Sequence, residues 1–150
     1  PLRVLTYNMH KGFDLTNRRF VLQDMRQAIA LTAADLVFLQ EVQGEHTGRA
    51  RRVDGWCPVP HCTYVAEGVW PHVVYGRNSL RRHGHHGNAI VSRHPIEGWT
   101  NTDISTNRFE SRGVLHATVV PPGSTKRLHA LCVHLDLLER GRSMQLERIC

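Results

Sequence analysis

The sequence predicts an α/β (α+β) fold built on a mixed, largely antiparallel sheet. Three observations predict it. The first two apolar runs, residues 2–8 and 35–39, are separated by a helical pattern, so the chain opens strand, helix, strand. Both runs are almost continuously apolar, as strands covered on two faces are. Later, two longer apolar runs flank Pro121-Pro122-Gly123-Ser124, a turn signal that argues for an antiparallel hairpin.

Length and composition agree with one domain that has a real core. The chain has 150 residues, of which 41% are hydrophobic and 21% charged. No apolar run approaches ~18 residues, so no transmembrane segment is predicted. The net charge of +6, from 19 Lys and Arg against 13 Asp and Glu, favours anionic partners without identifying one.

The elements follow in order. Leu2 to Asn8 is the first strand, and residues 9–16 form a loop. Residues 17–33 read as a helix, with Val21, Leu22, Met25, Ala28, Ile29 and Thr32 on one face and Thr16 or Asn17 as its cap. Asp35 to Leu39 is the second strand and runs into Gln40-Glu41. Residues 43–62 are polar and rich in Gly, Pro and Arg, the composition of a long loop. Residues 64–65 and 72–75 are short strand candidates, and 76–87 is a basic, His-rich loop. Asn88 to Ser92 is a strand stopped by His94-Pro95. Gly113 to Val120 and Arg127 to Leu135 form the hairpin. Residues 138–150 are a helix with Leu138, Arg142, Gln145, Leu146 and Ile149 on one face. It has no stop signal, so the domain over residues 1–150 reads as cut short within this helix.

Glu41 is the residue most in need of explanation. A carboxylate at the end of a buried strand requires a cation or strong donors, because leaving it unpaired costs several kcal/mol. Asn8 ends the other early strand, and two oxygen donors at strand ends suggest a hard-metal site. The alternative is simple pairing of Glu41 with one of the basic residues. His134 is either a rim histidine or a catalytic one. Arg112, just before a strong strand, is a surface charge or an anion clamp whose guanidinium fork suits phosphate. Antiparallel strands bring the start of one beside the end of another. Asn8, Glu41, His134, Asn88 and Arg112 are therefore expected on one rim. Carboxylate and amide oxygens for a metal, beside cations for an anion, imply metal-assisted phosphate-ester hydrolysis.

A zinc-binding reading competes, built on Cys57, His61, Cys62 and the His83-Gly84-His85-His86-Gly87 run. Cys-x-x-Cys spacing is absent, and those histidines fall in a Gly-flanked loop where ligands are poorly preorganised. Cys132 reads as a small buried hydrophobe. Cysteines at 57, 62, 132 and 150 suit a reduced, cytoplasmic protein better than a disulfide scaffold.

Five blocks occur in a telling order: Leu5-Thr6-Tyr7-Asn8-Met9-His10-Lys11-Gly12, Leu39-Gln40-Glu41-Val42, Gly87-Asn88-Ala89-Ile90-Val91-Ser92-Arg93, Ser111-Arg112-Gly113 and Val133-His134-Leu135. Together they resemble the successive N-terminal motifs of the endonuclease/exonuclease/phosphatase superfamily. The resemblance covers essentially the whole chain. It implies the N-terminal half of a four-layer α/β/β/α sandwich. It implies that Glu41, with Asn8 beside it, binds Mg²⁺ or Mn²⁺. It further implies that His134 contacts or helps protonate the phosphate, that Arg112 supports it, and that Asn88 and His10 lie along the phosphate side. Many nucleases of the family carry an acidic residue where His10 stands. The family's later Asp-x-Asn motif and terminal Asp-His pair do not follow His134. The 150 residues alone are therefore expected to be inactive, or nearly so. The implied substrate is a phosphoester: nucleic acid, a phospholipid head group or a small phosphate ester. Half a sandwich also predicts a bare inner sheet face and self-association through it. The competing reading is a non-catalytic, partner-binding fragment or degenerate homologue.

Overall fold

The structure, a computed structural model, describes residues 1–107 and 109–150. The strands are β1 (Val4–Asn8), β2 (Leu36–His46), β3 (His72–Arg81), β4 (Gly84–Ser92), β5 (Ile96–Asp103), β6 (Gly113–Val119) and β7 (Leu128–Val133). The α-helices are α1 (Leu22–Leu31), α2 (Thr47–Ala50), α3 (His61–Ala66) and α4 (Glu139–Ile149), and a 3-10 turn spans His10–Gly12. Two sheets form, in the orders β1-β2-β4-β3 and β5-β6-β7. Among the described residues only the β1–β2 strand pairing is parallel; the remaining strand pairings are antiparallel.

The near-continuous apolar run in β2 is explained by burial on both of its faces. Val37 and Leu39 point one way, with Ala89 and Val91 of β4, into a core closed by Leu22, Met25 and Ile29 of α1 and Val65 of α3. Leu36 points the other way. With Val74 and Ile90 it meets Leu115, Ala117, Val119, Ala130 and Cys132 of the second sheet. Helices, sheet and sheet thus stack in three layers, and each fully buried aliphatic side chain contributes about 1.5–3 kcal/mol. The expected bare inner face is filled at β2, β4 and β3 by the second sheet. It stays open along β1, where Val4 is 56% exposed.

Several expectations need correction. The helix predicted over 17–33 begins at Leu22, because Asp14 organises the preceding loop. Its carboxylate accepts from the Thr16 and Arg18 amides and the Thr16 hydroxyl, and Asn17 turns at φ +57° rather than capping. The second strand does not stop at Leu39 but continues to His46. The loop predicted over 43–62 contains the end of β2, α2 and the start of α3, and the strand candidate at 64–65 lies within α3. The His-rich loop at 76–87 is a hairpin of β3 and β4, turning at Arg82-His83 without a Gly or Asn to announce it. β5, Ile-Glu-Gly-Trp-Thr-Asn-Thr-Asp, went unpredicted because it is an exposed edge strand with no apolar face to read. The last helix buries Gly141 and Gln145, while Leu138 and Leu146 stay exposed. It docks on loops instead: the Gln145 side chain accepts from the Asp136 amide and Arg148 donates to the Ser105 carbonyl.

Candidate phosphate-binding site

Glu41 is placed by a β-bulge. Leu39 pairs with Ala89 and Val42 with Gly87, so Gln40 and Glu41 together oppose Asn88. Glu41 takes φ +49°, a left-handed conformation that is costly for a non-glycine residue and frequent at functional sites. The turn after β1 is just as unusual: His10, Lys11 and Gly12 have φ of 42°, 56° and 84°. Gly12 is required there, since a Cβ would meet the Phe20 ring at 2.7 Å. This turn brings Lys11 onto Glu41.

The carboxylate is held from three sides. Asn8 Nδ2 donates to Glu41 Oε1 at 3.2 Å, Lys11 Nζ donates to Oε2 at 3.2 Å, and His134 Nδ1 lies 3.9 Å from Oε1. The Asn8 Oδ1 accepts from the His10 amide at 2.9 Å, which fixes the amide orientation. Burial raises the Glu41 pKa, but the Asn8 and Lys11 hydrogen bonds and nearby positive charge outweigh it and hold the group below the usual carboxylate range.

Around this carboxylate opens a cleft of about 340 Å³ lined by Lys11, Arg81, His86, Arg112 and His134, with Ser79, Phe109, Glu110, Ser111 and Leu137. Arg112 is braced by Glu110 Oε2 at 3.1 Å, while its Nε is buried without a hydrogen-bond partner. Burial, with the Lys11 charge next, pushes the His86 imidazole down to about 4. Burial and Arg112 also lower His134. Both histidines are neutral at pH 7, so each offers one N–H and one lone pair. The cleft therefore combines two carboxylates, Glu41 and the Glu110 that braces Arg112, with three cationic side chains and two neutral imidazoles.

Of the predicted residues, Asn8, Glu41, His134 and Arg112 converge. Asn88 and His10 lie apart from the cleft. Asn88 is 1% exposed, and its amide donates to the Gly113 carbonyl at 3.0 Å and the Cys132 carbonyl at 3.2 Å, stapling β4 to both β6 and β7. The His10 ring bonds the Asp14 carbonyl at 3.1 Å. Lys11, Arg81 and His86 were missed. A signal for His86 existed: running the period-2 alternation back from Ile90 and Asn88 puts His86 on the same face. Lys11 had none, because the turn that aims it is not encoded by a standard turn pattern.

A hard divalent ion suits this donor set. The Glu41 carboxylate could serve as its protein ligand, with Asn8 Oδ1 beside it on the His10 amide, since such ions are commonly bound by one or two carboxylates plus water and substrate phosphate. The Lys11 ammonium beside Glu41 shows that positive charge is favourable at this point. The zinc alternative finds no support: among the described residues no three His, Cys, Asp or Glu side chains are grouped to hold a metal. His61 instead packs among aromatic rings, with Phe20 at 5.6 Å and Trp56 at 5.0 Å between centroids, and the four cysteines are free thiols. Among the described residues no helix is long and apolar enough to cross a membrane.

Comparison with known proteins identifies the family and the fold. The sequence model of the Endonuclease/Exonuclease/phosphatase family matches residues 5–148. The uncharacterized protein YbhP of Escherichia coli (strain K12) is 46% identical over 144 residues, covering 96% of this chain and 57% of that protein. The chain thus spans little more than half the length of its curated relatives. The fold is shared with an endonuclease/exonuclease/phosphatase family protein from Leptotrichia buccalis, with TM-score 0.73 and 14% identity over 99% of this chain and 62% of that one. It is also shared with D. rerio TDP2 complexed with single strand DNA product, with TM-score 0.62 and 18% identity over 99% of this chain and 52% of that one.

Proposed function

This chain belongs to the endonuclease/exonuclease/phosphatase family, and we propose that it supplies the metal- and phosphate-binding half of a divalent-metal-dependent phosphoesterase. The observation that carries the proposal is the convergence of Lys11, Arg81, Arg112, His86 and His134 on Glu41 in one cleft. Glu41 and Asn8 would hold Mg²⁺ or Mn²⁺. When bound, the ion neutralises phosphoryl charge and supports the leaving oxygen. Lys11, Arg81 and Arg112 receive the phosphoryl oxygens, and the braced Arg112 fork directs two donors at one of them. His134, neutral and 3.9 Å from Glu41, keeps an N–H to offer the phosphoryl or leaving oxygen. Asn88 acts beneath the cleft by tying the two sheets. His10 positions Asn8 through its backbone amide. The group that activates the attacking water is proposed to come from sequence beyond this half, as the family's Asp-His pair would.

The test is an assay of the full reading frame containing this chain against a phosphoester panel with Mg²⁺. Glu41→Ala is expected to lower kcat/KM on the order of 10³-fold, as loss of a principal electrostatic contact does. The isolated 150 residues are expected to show no turnover. Unchanged Mg²⁺-dependent turnover in Glu41→Ala would sink the proposal.

A further inference from the structure

Beside the cleft lies a second hollow, about 590 Å³, that the proposed chemistry does not use. Arg49, Arg51, Arg52, His46 and His83 line it, and no carboxylate does. Among the described residues none of its three arginines forms an ion pair. Arg49 is nevertheless rigidly presented. Its guanidinium stacks on the Phe13 ring, 4.8 Å from the centroid, and Nη1 donates to Gln43 Oε1 at 3.0 Å. Gln43 is itself buried and donates to the His85 carbonyl at 2.7 Å. The Arg49 amide is accepted by His46 Nδ1 at 3.1 Å, so the backbone carrying the arginines is pinned as well. A partly buried, preorganised guanidinium without a counter-charge is an anion site awaiting its anion.

The two hollows are linked through common chain segments. Three separate segments contribute to both: Lys11 and Phe13, Glu41 and His46, Arg81 and His83. Two residues of chain span at most ~7 Å, and the five from Glu41 to His46 at most ~17 Å of strand. Phosphates along one stacked strand recur every ~3.4 Å of rise, so these limits correspond to a few nucleotides.

We propose that the Arg49–Arg51–Arg52 hollow is a second phosphate subsite, which holds a phosphodiester strand a few nucleotides from the phosphate in the Glu41 cleft. This deepens the phosphoesterase reading and rests on it for the position of the first phosphate. Arg49 clamps one phosphate from a fixed geometry, and Arg51 and Arg52 follow the strand as mobile charges.

The test reads binding without turnover. Fluorescence anisotropy of labelled octathymidylate and labelled dithymidylate is followed in EDTA across a salt series. Arg51→Ala/Arg52→Ala is expected to bind the octamer about tenfold more weakly at low salt. Its log K against log salt slope is expected to fall by about 1.4, two contacts at roughly 0.7 each. Dithymidylate binding is expected to stay unchanged, and Arg51→Lys/Arg52→Lys to keep the slope. Unaltered octamer binding, equal weakening of both lengths, or stronger competition by anionic phospholipid vesicles than by unlabelled octamer would each overturn the proposal. Turnover in Glu41→Ala decides the phosphoesterase reading separately, so the two can fail independently.

Discussion

Two histidines that look alike in sequence, His61 and His86, end in opposite surroundings with nearly the same proton affinity. Each lies in a segment with the residue types of a metal site. Burial pushes both imidazoles down to about 4. His61 is fully enclosed, with both ring nitrogens unpartnered among the rings of Phe20 and Trp56. His86 opens into the cleft beside Lys11, Arg81 and Arg112. A depressed pKa therefore does not mark function by itself. What separates the two is access to a ligand and a cationic neighbourhood, and only the fold assigns those.

The contrast can be broken by measurement, starting with the largest effect. Glu41→Ala should lower kcat/KM in the full reading frame on the order of 10³-fold while leaving the thermal midpoint close to that of the parent, since the cleft is open. The next effect is on stability. His61 falls from its ordinary value of 6.5 to about 4 on folding. Between those values the unfolded chain binds a proton that the folded chain does not. The His61 contribution is thus fully present above pH 6.5 and lost as pH falls toward 4, about 3 kcal/mol in all. Chemical denaturation of His61→Leu between pH 7 and 4 should show a shallower decline than the parent, with near-parental stability at pH 7 because no hydrogen bond is lost. Parallel declines would reject the assignment.

His86→Ala should add an effect on turnover that His61→Leu lacks. It is expected to lower kcat/KM by about 10²-fold, the scale of one positioned acid-base or hydrogen-bonding group. Its denaturation should also decline less steeply than the parent between pH 6.5 and 4, because His86 too falls to about 4 on folding, so turnover and not the pH profile separates the two histidines. If His86→Ala leaves kcat/KM at the parental value, the two histidines are equivalent after all. The smallest effect belongs to Asn88→Ala, which strands the Gly113 and Cys132 carbonyls and is expected to cost about 1–3 kcal/mol. Its signature is a lowered thermal midpoint, with any loss of turnover recovered on cooling.

The comparison also shows what a sequence discloses and what it withholds. Glu41 and Asn8 were legible because a polar residue interrupting an apolar run has few bland explanations. The β6–β7 hairpin was legible because Pro121-Pro122-Gly123 leaves little else to build. The β3–β4 hairpin was not, because glycine and histidine dominate its inner half and carry no alternation. Its close strand contact depends on Gly87, where a Cβ would meet the Gly76 carbonyl oxygen at 1.8 Å. Lys11 was illegible for a related reason. Its approach to Glu41 depends on a run of positive φ angles, and nothing in His10-Lys11 signals them. Strand ends set by hydrophobic alternation were predictable; geometry set by unusual backbone angles was not.

The bulge at Gln40-Glu41 has a consequence for how this protein tolerates change. Val37, Leu39 and Val42 all face the helices, so the parity of the strand switches from odd to even across the bulge. Removing Glu41 would restore uniform alternation while keeping Val42 opposite Gly87 on the helix side, so the residues downstream keep their faces and only the carboxylate is lost. Substitution of Glu41 and its deletion should therefore both be chemically severe yet structurally mild, whereas the same deletion elsewhere in the paired part of the strand would turn every following side chain to the wrong face.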